Sequence, residues 1–106
     1  MEAKKIIVTG GANRIGRSIA LELANYDTQI VIHYSKSFLA AKKLKIELEN
    51  LGSIVYLFKA DFNNFRQTQK VIAYAHKKMN GLDCLINNAS VFENDNLINF
   101  SEKSFL

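Results

Sequence analysis

The stretch Lys5-Ile6-Ile7-Val8-Thr9-Gly10-Gly11-Ala12-Asn13-Arg14-Ile15-Gly16-Arg17-Ser18-Ile19-Ala20 decides the fold of this chain. It begins as a short apolar run rich in β-branched residues, which is typical of a buried parallel strand. The run breaks at two glycines, and apolar residues then return at helical spacing. A strand, a glycine turn and a helix in direct succession predict the opening of a nucleotide-binding βαβ unit.

The glycine turn has two possible roles. Glycines allow the backbone to approach a pyrophosphate, and the N–H groups at the start of the following helix favour its negative charge. Gly10 and Gly11 could also form a plain tight turn, which is common between strand and helix in any α/β protein. The flanking strand and helix favour the cofactor interpretation.

The rest of the chain repeats this alternation of strand and helix. We predict further strands over Gln29–Tyr34, Ile54–Phe58 and Leu82–Asn87, after a first strand over Lys5–Thr9. The predicted helices cover Arg14–Asn25, Phe38–Asn50 behind a Ser37 cap, a segment from Asn63 or Asn64 to Met79, and a fourth helix capped by Ser101. This order predicts one α/β domain with a Rossmann-type parallel sheet and helices on both faces.

Composition argues against several classes of function. The 106 residues carry a net charge of +4, but the lysines are scattered over predicted helix faces among glutamates, so no nucleic-acid partner is expected. Cys84 lies in an apolar strand and is expected to be a core thiol. The sequence has no cluster of cysteines and histidines, so no metal site is predicted. Neither a leader nor a run of about 20 apolar residues is seen, so a cytoplasmic protein without a membrane partner is expected.

The end of the second predicted strand bears on the choice of cofactor. An acidic residue about 20 positions after the glycine turn would bind the ribose 2′-hydroxyl of NAD. Here the segment is His33-Tyr34-Ser35-Lys36-Ser37, without a carboxylate. Lys36 and the two serine hydroxyls could bind a 2′-phosphate, with Arg14 as a second cation, which favours NADP(H). Alternatively, Lys36 is a surface lysine and Ser37 only a helix cap.

Three segments carry a resemblance to a known family. Thr9-Gly10-x-x-x-Arg14-x-Gly16 resembles the Thr-Gly-x-x-x-Gly-x-Gly turn of short-chain dehydrogenases/reductases, with arginine in place of the middle glycine as in the pteridine reductase branch. His33-Tyr34-x-Lys36-Ser37 is similar to the His-Tyr-x-Arg-Ser segment of that branch. Asn87-Asn88-Ala89-Ser90-Val91-Phe92 resembles its Asn-Asn-Ala-Ser-x-Phe segment.

The resemblance implies a strand order of 3-2-1-4 and assigns roles to individual residues. It implies cofactor contacts in four groups: the pyrophosphate with Gly10, Asn13, Arg14, Ile15 and Gly16; the adenosine phosphate with His33, Tyr34, Ser35, Lys36 and Ser37; the adenine with Asp61 and Phe62; and the ribose with Asn88 and Ala89. It implies that Ser90 and Phe92 bind a pterin or folate substrate, although Phe92 could instead cover the core. Complete members of the family are usually homodimers or homotetramers.

The residues that perform hydride chemistry in the family are not found in this chain. The family uses a Tyr-x-x-x-Lys pair on a helix after the fifth strand. Only Tyr74-x-x-x-Lys78 fits by count, and it lies on the third predicted helix, before Asn87-Asn88, so we interpret it as coincidence. We therefore expect residues 1–106 to be a partial NADP-binding domain, truncated before the catalytic segment, from a split or damaged gene.

Several functions remain open at this level. The first is an NADPH-dependent reductase of pteridine or dihydrofolate rings in its complete form. A second is a 3-oxoacyl or other carbonyl reductase of the same family. A third is a non-catalytic NADP-binding remnant, and a fourth is a fragment that does not fold.

Overall fold

The computed structural model describes residues 3–61 and 65–88, which form one parallel sheet flanked by helices. The elements are β1 (Lys4–Thr9), α1 (Arg14–Leu23), β2 (Thr28–Tyr34), α2 (Phe38–Asn50), β3 (Ile54–Lys59), α3 (Phe65–Met79) and β4 (Cys84–Asn87). The order along the sheet is β3-β2-β1-β4, as expected from the resemblance. The predicted strands and helices of this part are confirmed, with ends that differ by one or two residues.

The central strands β1 and β2 are apolar because both of their faces are covered. Their register pairs Ile6 with Ile30 and Val8 with Ile32, and β4 pairs with the other edge of β1. Each fully buried aliphatic side chain of this kind contributes about 1.5–3 kcal/mol relative to an exposed one. The buried central strands therefore fix the positions of the segments that follow the ends of the strands.

Two apolar layers lie on opposite faces of the sheet. The first packs the sheet against α1 and α2, and its buried members are Ile6, Val8, Ala20, Ala24, Ile30, Ile32, Leu44, Leu48 and Val55. The second packs the sheet against α3, and its buried members are Ile7, Val31, Ala60, Val71, Ala75 and Met79. Neighbouring residues of one strand therefore belong to different layers, which is the period of two expected for a β-strand.

The helix ends follow the predicted signals except at one cap. Gly52 after α2 has a φ of 104°, and α3 is followed by Asn80 at 57° and Gly81 at 142°, which are left-handed or glycine-favoured conformations. Ser37 occupies the position before α2, but its side chain makes no capping hydrogen bond. The predicted position of the cap is therefore confirmed, but the expected hydrogen bond from the Ser37 side chain is not formed.

Two predictions of burial are wrong. Cys84 is exposed, because β4 lies at an edge of the described sheet and the residue begins that strand. The spacing of Leu51 after Ala41, Leu44 and Leu48 predicts a place on the apolar face of α2, but Leu51 is 51% exposed because it follows the last turn of the helix. The predicted Ser101 cap and fourth helix lie outside the described residues. No helix among the described residues is long and apolar enough to span a membrane.

Candidate functional site

The carboxyl ends of the four strands bring distant segments of the sequence to one edge of the sheet. The turn that begins at Gly10 follows β1, the loop 35–37 follows β2, Ala60 and Asp61 follow β3, and Asn88 follows β4. In open α/β sheets, ligands bind in the crevice outside this edge. Most of the residues proposed from the sequence to contact a cofactor are therefore near one another.

The glycine turn is closed by its own hydrogen bonds. Gly10 has a φ of 61°, and its carbonyl accepts from the backbone N–H of Asn13 at 3.2 Å. The Asn13 side chain then accepts from the N–H of Gly16 at 2.9 Å and caps α1. The first N–H groups of an α-helix have no acceptor within the helix, so the turn ends at a place suited to an anion.

Asn88 ties β4 to the glycine turn. Its side-chain amide donates to the Gly10 carbonyl at 3.3 Å and to Asn13 Oδ1 at 2.9 Å. Its backbone N–H donates to Thr9 Oγ1 at 2.8 Å, and that hydroxyl lies within donating distance of the Ile86 carbonyl and Asn87 Oδ1. Asn88 thus holds the turn in place and faces the predicted cofactor site from the side of β4.

His33 lies inside the protein rather than on the surface of the site. It is 1% exposed, its Nδ1 accepts from the N–H of Gly10 at 2.9 Å, and its Nε2 lies 2.8 Å from the Ala60 carbonyl. Burial lowers the pKa of the imidazole below its ordinary value of 6.5, and the bond to Ala60 opposes part of that effect. The ring nitrogens are both engaged by backbone groups, so they do not face a phosphate.

An open groove of about 760 Å³ runs along the start of α1. It is lined by Asn13, Arg14, Ile15, Ser18, Ile19 and Asn88. Ile15 is 67% exposed although it follows the apolar periodicity of α1, and Arg14 is exposed beside it. An exposed isoleucine and a cation at a helix start form a surface that suits a ligand with an anionic and an apolar part.

The loop after β2 presents polar groups on the same edge. Lys36 and Ser37 are exposed and Ser35 is partly exposed, whereas Tyr34 is buried with its ring centroid 5.9 Å from that of Phe38. Tyr34 is therefore a packing residue in this structure. No carboxylate occurs in residues 33–37, as the sequence already shows, and the exposed carboxylate of Asp61 follows β3.

Thr9 and Asn87, which belong to two of the motifs quoted from the sequence, form the hydrogen-bonded support under Asn88. Three residues of this edge were not identified from the sequence: Ser18 and Ile19 line the groove, and exposed Lys59 pairs in register with Tyr34. Ser18 and Ile19 come one helical turn after Arg14 and Ile15, and this spacing could have placed them on the same face of α1 from the sequence alone. The proposed contacts Phe62, Ala89, Ser90 and Phe92 lie outside the described residues.

Tyr74 and Lys78 do not form a catalytic pair in this structure. The Tyr74 ring packs against Phe58 at 4.8 Å between centroids, and Lys78 Nζ lies 5.8 Å from the Tyr74 ring centroid. The pKa of Tyr74 is raised by burial and by the neighbouring Tyr56, whereas a catalytic tyrosine needs a lowered pKa. Both residues lie on α3, which does not contribute to the groove, so the interpretation of this spacing as coincidence is supported.

The sequence as a whole matches the family model described as short chain dehydrogenase over residues 4–106. A short chain dehydrogenase/reductase of Aspergillus aculeatus, AacuN, is 33% identical over 99 residues, which is 93% of this chain and 38% of that protein. A probable tetrahydroxynaphthalene reductase of Zymoseptoria tritici is 29% identical over 105 residues, 99% of this chain and 39% of that protein. The chain therefore spans about two fifths of the length of these relatives.

Solved structures of the same kind superpose on the fold. A short-chain dehydrogenase from Oenococcus oeni has a TM-score of 0.80 at 30% identity, over 91% of this chain and 44% of that one. A short chain dehydrogenase from Burkholderia cenocepacia, solved in complex with NADP, has a TM-score of 0.81 at 32% identity, over 87% of this chain and 38% of that one.

Proposed function

Because this chain belongs to the short chain dehydrogenase family, we propose that residues 1–106 are the NADP(H)-binding part of a reductase. The observation that carries the proposal is the glycine turn at the carboxyl edge of the sheet, joined to Asn88 and beside the groove at the start of α1. The Burkholderia cenocepacia relative was solved with NADP, which agrees with this choice of cofactor.

The described residues fit the phosphate groups of this cofactor. The positive φ of Gly10 and the exposed Arg14 at the start of α1 support binding of the pyrophosphate by the turn from Gly10 to Gly16, with Arg14 as a cation at its rim. Lys36 and the hydroxyls of Ser35 and Ser37 would hold the 2′-phosphate, where a carboxylate would repel it. Asp61 with Phe62 would contact the adenine, and Asn88 with Ala89 the ribose. Bound NADPH would supply the hydride for the reaction.

Direct titration of the chain tests the cofactor proposal. We expect NADPH to bind with an affinity at least about tenfold higher than NADH, since only NADPH offers a phosphate to Lys36 and its neighbouring hydroxyls. Isothermal titration calorimetry measures both affinities in one buffer. Equal affinities would refute the preference for NADPH. If neither NADPH nor NADH binds, the proposed function is refuted.

For the substrate, we propose a pteridine or dihydrofolate ring. The support is sequence likeness in three segments: the Arg14 turn, the segment 33–37, and Ser90 with Phe92. An aromatic side chain after the fourth strand is suited to stacking on a flat heterocycle. In a protein that joins residues 1–106 to a catalytic half, Phe92→Ala should raise the KM for dihydropterin sharply and leave the KM for NADPH unchanged. An unchanged pterin KM would contradict stacking.

A carbonyl substrate is the second candidate. It is favoured by the relative from Zymoseptoria tritici, because its name as a probable tetrahydroxynaphthalene reductase specifies an aromatic substrate that is not a pterin. Parallel assays with dihydropterin, 3-oxoacyl and aromatic ketone substrates separate the two classes. Assembly as a homodimer or homotetramer is proposed for the complete protein on the same resemblance, and sedimentation velocity tests it.

A non-catalytic NADP-binding remnant is the alternative from another class. It is favoured by the position of Tyr74 and Lys78 on α3, away from the groove. This alternative predicts NADPH binding without turnover of any of the three substrate types. A chain that shows neither a cooperative thermal transition nor protection by NADPH would instead be a fragment that does not fold.

A further inference from the structure

We infer that His33 is a positioning residue, whose imidazole in the Nε2–H tautomer fixes the glycine turn to the end of β3. The inference deepens the proposed function, because the two segments that it joins are the ones proposed to hold opposite ends of the cofactor's adenosine diphosphate part. It replaces the role that the sequence resemblance implied for His33, which was direct contact with the adenosine phosphate.

The hydrogen-bond partners of the ring assign its tautomer. The Gly10 backbone nitrogen is a donor, so Nδ1 at 2.9 Å from it must be the unprotonated nitrogen that accepts. The Ala60 carbonyl is an acceptor, so Nε2 at 2.8 Å from it must carry the proton and donate. A protonated imidazole would direct a second N–H at the Gly10 donor, so only the neutral ring satisfies both neighbours.

The backbone of the same residue strengthens the connection. The His33 carbonyl accepts from the N–H of Gly11 at 3.0 Å. One residue at the end of β2 therefore binds the first two N–H groups of the turn, one through its side chain and one through its backbone. Both N–H groups are therefore engaged by His33, so the proposed pyrophosphate site relies on the N–H groups at the start of α1 that have no acceptor within the helix.

The ring also spans two separate segments of the site. Gly10 begins the turn proposed to hold the pyrophosphate, and Ala60 directly precedes Asp61, proposed to contact the adenine. With 1% of its surface exposed, His33 cannot follow a ligand by changing its rotamer without displacing core neighbours. The imidazole thus sets the distance between the two segments before any cofactor binds, which is a form of preorganisation.

Two substitutions of His33 distinguish the effect of its hydrogen-bond acceptor from the effect of its ring volume. His33→Asn retains a side-chain oxygen at the δ position, which can accept from Gly10. His33→Phe retains a ring of similar size without an acceptor or a donor. His76→Asn is the control, since His76 is exposed on α3 and is the second of the two histidines in the chain.

The closing experiment combines imidazole ¹⁵N spectra with NADPH titrations of the chain and its three variants. We expect an unprotonated Nδ1 and a protonated Nε2 at pH 7.5, and we expect a shifted Gly10 amide resonance in His33→Phe. We expect NADPH affinity to fall about tenfold in His33→Phe, and by a smaller factor in His33→Asn, because an unsatisfied Gly10 donor disfavours the turn. His76→Asn should bind NADPH as the unchanged chain does.

Several outcomes would overturn the inference. They are an Nδ1–H tautomer, an unshifted Gly10 amide in His33→Phe, or NADPH affinity in His33→Phe equal to that of the unchanged chain. If His33→Phe fails to fold, the tautomer and the affinity of His33→Asn decide: a loss of NADPH affinity below about tenfold in His33→Asn supports the positioning role, and a larger loss overturns it in favour of a direct contact with phosphate. If the unchanged chain binds no NADPH, the proposed function fails, while the ¹⁵N and Gly10 amide spectra still test the positioning role.

Discussion

Gly16 packs directly against Gly10, with no space for a side chain between the first turn of α1 and the glycine turn. A Cβ at Gly16 would overlap the Gly10 carbonyl oxygen, and it would lie 2.7 Å from Asn88 Nδ2 and 2.8 Å from Gly11 Cα. Backbone atoms cannot rotate out of the way as a flexible side chain can. The close approach therefore brings the N–H groups at the start of α1 to the turn, where the pyrophosphate is proposed to bind.

We expect Gly16→Ala to lower the free energy of unfolding by about 1–3 kcal/mol, because the added methyl group displaces the turn. Helix propensity acts in the opposite direction, since alanine is favoured over glycine by about 1 kcal/mol within a helix. Urea unfolding measures the balance, and NADPH affinity should fall with it. Glu22→Ala, on an exposed position of the same helix, is the control and should be near neutral. A Gly16→Ala variant more stable than the unchanged chain would refute the packing argument.

Asn88→Asp tests the bond between β4 and the turn without changing side-chain size. The substitution replaces an amide donor by an ionised acceptor facing the Gly10 carbonyl and Asn13 Oδ1, both of which are acceptors. We expect a loss of about 1–3 kcal/mol in the free energy of unfolding at pH 7. Asn25→Asp, exposed after α1, provides the matched change of charge. Equal unfolding midpoints for the two variants would show that the Asn88 amide contributes nothing to the turn.

Most of the fold could be predicted because the pattern of apolar residues in the sequence matches the surfaces that each strand and helix buries. The apolar run of β2 is continuous since both faces of a central parallel strand are covered, and α2 has leucines at helical spacing on its buried face. The strand order, in contrast, came from the resemblance of the glycine turn to a family. Alternation of strands and helices alone is compatible with other orders of a parallel sheet.

The candidate site was predicted less completely, because contacts across strands are not visible in a sequence. A histidine at the end of β2 is a residue type that can bind phosphate. The sequence does not show that its ring faces Gly10 and Ala60 instead. That arrangement depends on the register of β2 with β3 and on the height of the glycine turn above β1. The same holds for Thr9, whose hydroxyl meets residues of β4 almost 80 positions later in the chain.

The exposure of Cys84 gives a simple test of the edge of the sheet. Its apolar neighbours predicted a core thiol, but the residue begins the edge strand β4 and is exposed. We expect the thiol of the folded chain to react with Ellman's reagent without denaturant, at a rate within about tenfold of the unfolded chain. The absence of any other cysteine makes the signal unambiguous. A thiol that reacts only in denaturant would show that the start of β4 is covered in solution.

Lys36→Glu should reverse the cofactor preference. A carboxylate after β2 repels a 2′-phosphate and can accept a hydrogen bond from a ribose 2′-hydroxyl instead. We expect NADPH affinity to fall about 10- to 100-fold while NADH affinity is unchanged or rises. Lys42→Glu, at another exposed lysine on α2, changes the net charge by the same amount. A similar loss in both variants would attribute the effect to overall charge rather than to a contact of Lys36.

The pH dependence of stability follows from the buried imidazole of His33. Its pKa in the folded chain is lowered from 6.5, mainly by burial, so below about pH 6.5 the unfolded chain binds more protons than the folded one. The free energy of unfolding therefore contains a contribution that is complete above pH 6.5 and is lost as pH falls toward the folded-state pKa. Its slope can reach at most about 1.4 kcal/mol per pH unit.

Comparison with His33→Asn isolates this contribution, because all other side chains are the same in the two proteins and their contributions cancel in the difference. We expect the stability difference between the unchanged chain and His33→Asn to shrink as the pH falls from 7.5 to 5, since asparagine does not titrate. Urea unfolding at four or five pH values measures both proteins. Curves for the unchanged chain and His33→Asn that stay parallel throughout would mean that His33 does not titrate on unfolding, contrary to its buried, hydrogen-bonded position.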